Sequence, residues 1–315
     1  MTLQRVAAID CGTNSIRLLV ADLDPDTGEL HDLDRRMTIV RLGQGVDRTG
    51  RLAPEALERT FAACRDYAAV IAGHGAQRLR FVATSASRDA ENRDEFVSGV
   101  RAILGVEPEV ISGDEEAQLS FTGATRELKG EDGLTPPYLV FDLGGGSTEF
   151  VLGSDRVEAA RSVDIGCVRM TERHGGDTIA MRADIKAALD LAAATVPLTS
   201  AATLVGLAGT VTTVAGIALG LPAYDSAAIH HSRIPLAKVR EVTAMLLAST
   251  PEERAAIPVM HPGRVDVIAA GALVLLAVME RSGASELVVS EHDILDGIAW
   301  SAAGETAREG APETS

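Results

Sequence analysis

Two short segments of this chain place an aspartate where an apolar run gives way to a turn of glycine and small polar residues. AIDCGTNSIRLLV (residues 8–20) aligns without gaps on VFDLGGGSTEFVL (residues 140–152), so Asp10 meets Asp142, Gly12 meets Gly144 and Ser15 meets Ser147. A carboxylate at such a strand end can hold a cation or a water, and the backbone amides of the turn can face an anion. Gly144, Gly145 and Gly146 let backbone approach a phosphate closely. Thr13, Asn14, Ser15, Ser147 and Thr148 add side-chain donors. One such turn would be an ordinary tight hairpin. Two aligned copies, each with its aspartate, favour anion handling.

A second constellation lies in ISGDEEAQLSF. Ser112 with Glu115 three residues on forms a capping box, which gives Glu115 a structural task at a helix start. Glu116 is left free of it. An exposed first-turn acid favoured by the helix dipole is the ordinary reading. Its position between the two repeats, where the chain crosses from one half to the other, makes it a candidate general base.

The elements that position these groups follow from pattern. Each repeat reads as strand, turn and strand, followed by a third strand near residues 34–42 and 157–165. Two similar three-stranded starts imply two similar α/β domains. PEALERTFAACRDYAAVIAGHG predicts a helix opened by Pro54 and closed at Gly73 or Gly75. LRFVATSASR predicts a buried strand and a polar loop, NRDEFVSGVRAIL a helix and PEVIS a short strand. Farther on, residues 181–195 read as helix, ATLVGLAGT as a strand entering a Gly-Thr turn, and 211–219 as helix. The last third reads as helical apart from ELVVS, and 306–315 as a loose tail.

At 315 residues the chain is long enough for two packed domains and a cleft. The formal charge of -16 argues against a nucleic-acid or anionic-membrane surface, so a polyanionic ligand must be gripped locally. Cys11, Cys64 and Cys167 lie far apart and form no C-x-x-C pair, which indicates neither a disulfide framework nor zinc and suits a reducing cytoplasm. The N-terminus lacks the pattern of an export signal. Residues 191–223 are uncharged, yet Pro197, Gly206, Gly209 and Gly220 break them up. Residues 267–279 are too few to span a bilayer and read as a buried helix. His230 and His231, read as neighbours on an extended segment, would face opposite ways and hold no metal. His292 reads as helix-start packing.

Taken together, AIDCGTNSIRLLV, ATSASRDAENRDEF, ISGDEEAQLSFTGA, VFDLGGGSTEFVL, SVDIGCVRMTERH, GLAGTVTT and VSEHDILDGI resemble the exopolyphosphatase and guanosine pentaphosphate phosphatase family. The resemblance runs from the first strand to the last helix. It implies an α/β fold of two actin-like, ribonuclease H-like domains around a central cleft, as in sugar kinases, heat-shock chaperones and actin. The implied units are residues 1–118, joined by the C-terminal helix 293–306, residues 119–305, and a flexible tail, 306–315. Longer relatives carry a helical C-terminal extension beyond this core.

Position by position, the resemblance makes Glu116 the residue that activates water. Asp142 and Glu149 would hold Mg²⁺, with Mn²⁺ as the alternative. Arg88 would contact the phosphate being transferred, with Asn14, Ser15 and Arg17. Gly209 and Thr210 would add an amide and a hydroxyl to the phosphate path. The implied substrate is inorganic polyphosphate or pppGpp. A kinase, an ATPase or a noncatalytic alarmone sensor on the same fold are the competing readings. A homodimer could assemble a basic channel from two modest patches.

Overall fold

Each copy of the repeat becomes a hairpin, because an apolar strand that meets Gly and small polar residues can turn back in a short loop, here residues 12–15 and 144–147. The computed structural model describes residues 3–24, 26, 29–126, 128 and 133–304. In it β1 (Gln4–Cys11) pairs antiparallel with β2 (Ser15–Leu23), which pairs with β3 (Leu30–Ile39). Then come α1 (Val46–Thr49), α2 (Pro54–His74), β4 (Arg78–Ala83), α3 (Ser85–Asp89), α4 (Arg93–Leu104) and β5 (Glu109–Val110). Helix α5 (Gly113–Thr125) leads to the second hairpin, β6 (Tyr138–Leu143) and β7 (Thr148–Gly153), and to β8 (Val157–Val163). The chain continues through α6 (Cys167–His174), α7 (Thr178–Ala193), β9 (Thr203–Leu207), α8 (Ala208–Ala218), α9 (Ser226–Ile229) and β10 (Arg233–Pro235). It closes with α10 (Leu236–Ala248), α11 (Pro251–Ala255), α12 (Ile268–Ser282), β11 (Glu286–Val289) and α13 (Ile294–Gly304).

The sheets have the orders β3-β2-β1-β4-β5 and β10-β11-β9-β6-β7-β8. In each, the Asp-bearing strand lies between its antiparallel hairpin partner and a parallel neighbour, β4 beside β1 and β9 beside β6. The turn bonds repeat too: Gly12 N–H donates to Ser15 O at 2.9 Å and Gly144 N–H to Ser147 O at 3.1 Å. One aligned position differs in sign. Asp10 stands opposite Arg17 across its hairpin, whereas Asp142 stands opposite Glu149.

Every residue of β6 is buried, as befits a strand covered on both faces. Strand β3 starts at Leu30, earlier than the pattern suggested, and its exposed His31, Asp32 and Arg36 guard a sheet edge. Helix α2 begins with Pro54 at its first position and ends at Gly75, whose φ of 69° is left-handed. The uncharged stretch 267–279 lies within the buried helix α12 and the turn before it. Among the described residues no helix is long and apolar enough to cross a membrane. The predicted polar loop after LRFVA is instead the helical turn α3, and the Gly-Thr turn is the first turn of α8.

Helix α13 returns to the first sheet, where Ile294, Leu295, Ile298 and Ala299 pack with Val6, Ala8, Leu19 and Ala21. Helix α5 runs unbroken across position 118/119 and lies against α13. The predicted tail 306–315 lies outside the described residues. The α5–α13 crossing depends on two glycines: a Cβ on Gly123 would strike the Asp293 carbonyl, and one on Gly297 the Leu119 carbonyl. Because backbone blocks the added methyl, Gly297→Ala should cost about 1–3 kcal/mol. Urea unfolding checks this; an unchanged midpoint would show that the helices separate freely.

Candidate active site

The two hairpin turns meet. A Cβ on Gly145 would lie 2.9 Å from Thr13 Cβ, and one on Gly146 would lie 2.7 Å from Ser85 Oγ and 2.8 Å from Thr13 Oγ1. Only glycine fits there. Helix α6 fixes the second turn from behind: Cys167 N–H donates to Gly144 O, and the Val168 and Arg169 N–H groups donate to Gly145 O. Arg169 Nε donates to Gly146 O at 2.6 Å. Across a trans peptide the carbonyl and the next N–H point in opposite directions. The N–H groups of Gly145, Gly146 and Ser147 are therefore directed away from α6.

Between the turns lies a cavity of about 90 Å³. Asp10, Thr13, Asn14, Ser15, Arg17, Glu116, Asp142, Gly144, Gly145, Ser147, Gly209 and Thr210 line it, so it gathers residues from both repeats, α5 and α8. Ser85, Arg264 and Ile294 complete much of its wall. Asn14 Oδ1 is buried with no hydrogen-bond partner, which leaves an acceptor available at the site. A larger chamber of about 460 Å³ adjoins it, sharing Arg17, Gly209 and Arg264 and walled by Met37, Pro258, Val259 and Tyr224.

Charge is crowded here. Asp10 and Asp142 are buried, as are Glu116, Glu149 and Asp293. Arg17 donates to Asp10 Oδ2 through Nη2 at 2.6 Å and also to Asp293. Arg88 Nη1 donates to Glu116 Oε2 at 3.1 Å and to Ile111 O at 3.0 Å. Ser120 Oγ donates to Asp142 at 2.8 Å, and Ser162 Oγ to Glu149 at 2.7 Å. Burial, then Asp293 and Glu149, push the Asp142 carboxyl up to about 8. Burial, then Glu149, hold Glu116 well above the usual carboxylate range against the pull of Arg88. Glu149 is raised by burial, partly offset by its serine hydrogen bonds.

A family model described as the Ppx/GppA phosphatase family matches residues 19–305. This chain belongs to that family. It is 54% identical over 322 residues to exopolyphosphatase 2 of Mycobacterium tuberculosis, covering 96% of this chain and 100% of that one. It is 30% identical to the guanosine-5'-triphosphate,3'-diphosphate pyrophosphatase of Aeromonas hydrophila, covering 95% of this chain and 59% of that protein. Among solved structures, an exopolyphosphatase-like protein superposes with a TM-score of 0.90 at 45% identity over 96% of this chain and 98% of that one. The α/β class with two sheets about a cleft accords with these likenesses.

Within this Ppx/GppA chain, Arg88, Glu149, Gly146 and Thr148 are the predicted site residues outside the cavity lining. Arg88 and Glu149 stand behind it, one bonded to Glu116 and the other paired with Asp142 across the hairpin. Thr148 spends its hydroxyl on Ile165 O at 2.6 Å. Sequence reasoning missed Ser85, Arg264 and Asp293. Ser85 and Asp293 lie inside the motifs ATSASR and VSEHDILDG, but the pairings that distinguish them, Thr13 with Ser85 and Arg17 with Asp293, are distant in sequence.

Two local expectations change. Ser112 Oγ accepts from Glu115 N–H as foreseen, but the Glu115 carboxylate accepts from Arg80 at 2.9 Å, so the capping box is half made. His230 and His231 do not diverge: their rings stack at 3.8 Å, and His292 lies 4.7 Å from His230. The chain turns there, with His231 at a φ of 57°.

The donor set fits Mg²⁺. Asp142 faces the cavity with Glu149 opposite it across the hairpin, both are hard oxygen donors, and burial, then Asp293 and Glu149, raise the proton affinity of Asp142. Among the described residues no group of three or more acidic, histidine or cysteine side chains forms a metal cage. Mg²⁺ needs none, since it commonly takes one or two carboxylates and completes its shell with water and substrate phosphate.

Proposed function

We propose that this chain is an exopolyphosphatase that releases terminal orthophosphate from inorganic polyphosphate by in-line attack of water. The observation that carries the reading is the meeting of two glycine-bearing turns over a small cavity that Glu116 enters from a third element. Phosphoryl transfer asks a protein mainly for positioning and for neutralisation of charge on the phosphoryl oxygens. The amides of Gly145 and Ser147 and the hydroxyls of Thr13, Ser15 and Thr210 would hold those oxygens. Glu116, oriented by Arg88, would take the proton of the attacking water. Asp142 and Glu149 would hold Mg²⁺, which when bound would supply charge neutralisation for the phosphates.

Arg17 is already shared between Asp10 and Asp293, and the whole chain carries -16. Beyond the cavity the chamber wall carries Arg35 and Arg36, but these are bonded to Asp32 and Asp296 and to Asp34, so a long polyphosphate would meet cations already engaged by carboxylates. The enzyme should prefer short chains and release them between cuts. A gel-resolved time course checks this: ladders of intermediate length are expected, whereas full-length substrate beside only phosphate and the shortest products would show processive cleavage.

A second substrate, pppGpp, is favoured by one observation. The adjoining chamber has an apolar side, formed by Met37, Pro258, Val259 and Met260, beside its arginines, and room for an organic group, which polyphosphate does not require. Phosphate release from short polyphosphate, long polyphosphate, pppGpp and ATP, measured side by side, ranks the two substrates.

Asp142→Ala and Glu149→Ala should each raise the magnesium requirement about tenfold or more. Proton linkage gives the sign of a companion effect. The Asp142 carboxyl stands at about 8 in the folded protein against 3.8 ordinarily, so between those values the folded state holds a proton that the unfolded chain has lost. Metal-free stability should fall as pH rises through that window. Magnesium, by binding the carboxylate, should raise the melting temperature more at about pH 8.5 than at about pH 6. An increment independent of pH would remove Asp142 from the metal site.

A further inference from the structure

The geometry points to Arg169, on α6 and outside the cavity, as a positioning residue that aims the second phosphate turn and clamps it to the first domain. Each of its three guanidinium nitrogens donates a hydrogen bond. Nε donates to Gly146 O at 2.6 Å, Nη1 to Asp47 Oδ1 at 2.8 Å and Nη2 to Asp89 Oδ2 at 2.5 Å. The Gly146 carbonyl belongs to the same peptide plane as the Ser147 N–H, so holding the oxygen fixes the direction of that donor. Ser147 lines the cavity. Asp89 directly follows Arg88, the partner of Glu116. One guanidinium thus ties the turn that would receive phosphate to the segment that orients the base.

Two features separate this contact from an ordinary surface ion pair, which is worth little. The Arg169 side chain is only 13% exposed, and its three acceptors lie on three segments, 47, 89 and 146. The clamp has neighbours of the same kind: Arg173 donates to Asp47 at 2.9 Å, and Glu172 accepts from Gly45 N–H at 3.0 Å. Lysine cannot reproduce the fork. Since Asp47 would keep Arg173, and Asp89 is partly exposed, removing Arg169 should leave the protein folded.

The kinetic arm of the test rests on the proposed phosphatase reading; the exchange arm does not. Arg169→Ala should lower kcat for polyphosphate about 10- to 100-fold, as expected from misplacement on the scale of an ångström, with KM and the magnesium midpoint little changed. Asp89→Asn should give part of that loss, and the double variant should be no worse than Arg169→Ala alone. Arg169→Lys should recover only a fraction. Arg41→Gln breaks another cross-domain pair, Arg41 with Asp266, without touching the turn, and should stay within about twofold of wild type.

Amide hydrogen exchange by mass spectrometry is the second readout. Peptides covering 144–147 and 85–89 should exchange faster in Arg169→Ala while α12 keeps its protection. Wild-type kcat, a loss confined to KM, multiplicative effects in the double variant, an equal loss in Arg41→Gln, or unchanged exchange at 144–147 would each overturn the assignment. If no variant and no wild type releases phosphate, the exchange result alone decides it.

Discussion

Glu116→Gln should lower turnover by about 10² to 10⁴ while substrate still binds, because the amide keeps the shape of the side chain and cannot accept a proton. The carboxylate is well placed for the role. It lines the cavity from the first turn of α5, is nearly buried, and accepts from Arg88 at 3.1 Å. Burial, Glu149 and Asp142 raise its proton affinity while Arg88 opposes them, which makes it a better base than an exposed glutamate. A raised carboxyl is protonated as pH falls, so activity should drop on the acid side. In Glu116→Gln the residual rate should lose that acid limb. Glu115→Gln should retain activity, since Glu115 is half exposed and gives up only an ion pair with Arg80. Near-normal turnover in Glu116→Gln, or an unchanged acid limb, would remove Glu116 from the mechanism.

Arg264→Ala should lower kcat/KM about 10²- to 10³-fold, the usual effect of deleting one donor to a developing oxyanion. Arg264 faces both the cavity and the chamber. Among the described residues its guanidinium has no carboxylate at ion-pair distance; its polar contacts are Thr213 Oγ1 at 3.3 Å and the sulfur of Met37 at 3.2 Å. Burial pushes its pKa down, the mark of a cation held away from water without full compensation. An anion arriving between the turns would supply the missing partner. Gly209 makes room, since a Cβ there would collide with the guanidinium. The same reasoning fixes the stability effect: Arg264→Ala should melt no lower than wild type, because an uncompensated charge is removed. Lysine should restore only part of the rate. A wild-type kcat/KM, or a loss that follows a fall in melting temperature, would assign Arg264 to structure alone.

What could be read from sequence was what is encoded locally. Both hairpins are self-contained patterns of apolar strand, glycine turn and apolar strand, so their alignment carried the pairing of Asp10 with Asp142 and the two-sheet plan. Glu116 was reachable because the Ser112 cap fixes where α5 begins. Arg264 and Asp293 were not, since their meaning arises from contacts across the whole chain: Asp293 joins Arg17, and Arg264 approaches Gly209. The role expected for Arg17 as a phosphate contact left out the two carboxylates that share it. The histidine stack escaped notice because alternation of side chains holds for strands, and His231 is in a left-handed turn. The short helix α3 escaped as well, Ser, Ala and Arg being as common in loops as in helical turns.

The most direct measurement is hydrolysis of polyphosphate in ¹⁸O-labelled water with magnesium, followed by mass analysis of the products. Attack of water on the terminal phosphorus, with the oxygen bridge leaving on the remaining chain, places one ¹⁸O in each released orthophosphate and none in the shortened chain. That result is expected of the wild type, with release nearly abolished in Glu116→Gln. Absence of orthophosphate release, or label found in the shortened chain and not in the phosphate, would contradict terminal hydrolysis at this site.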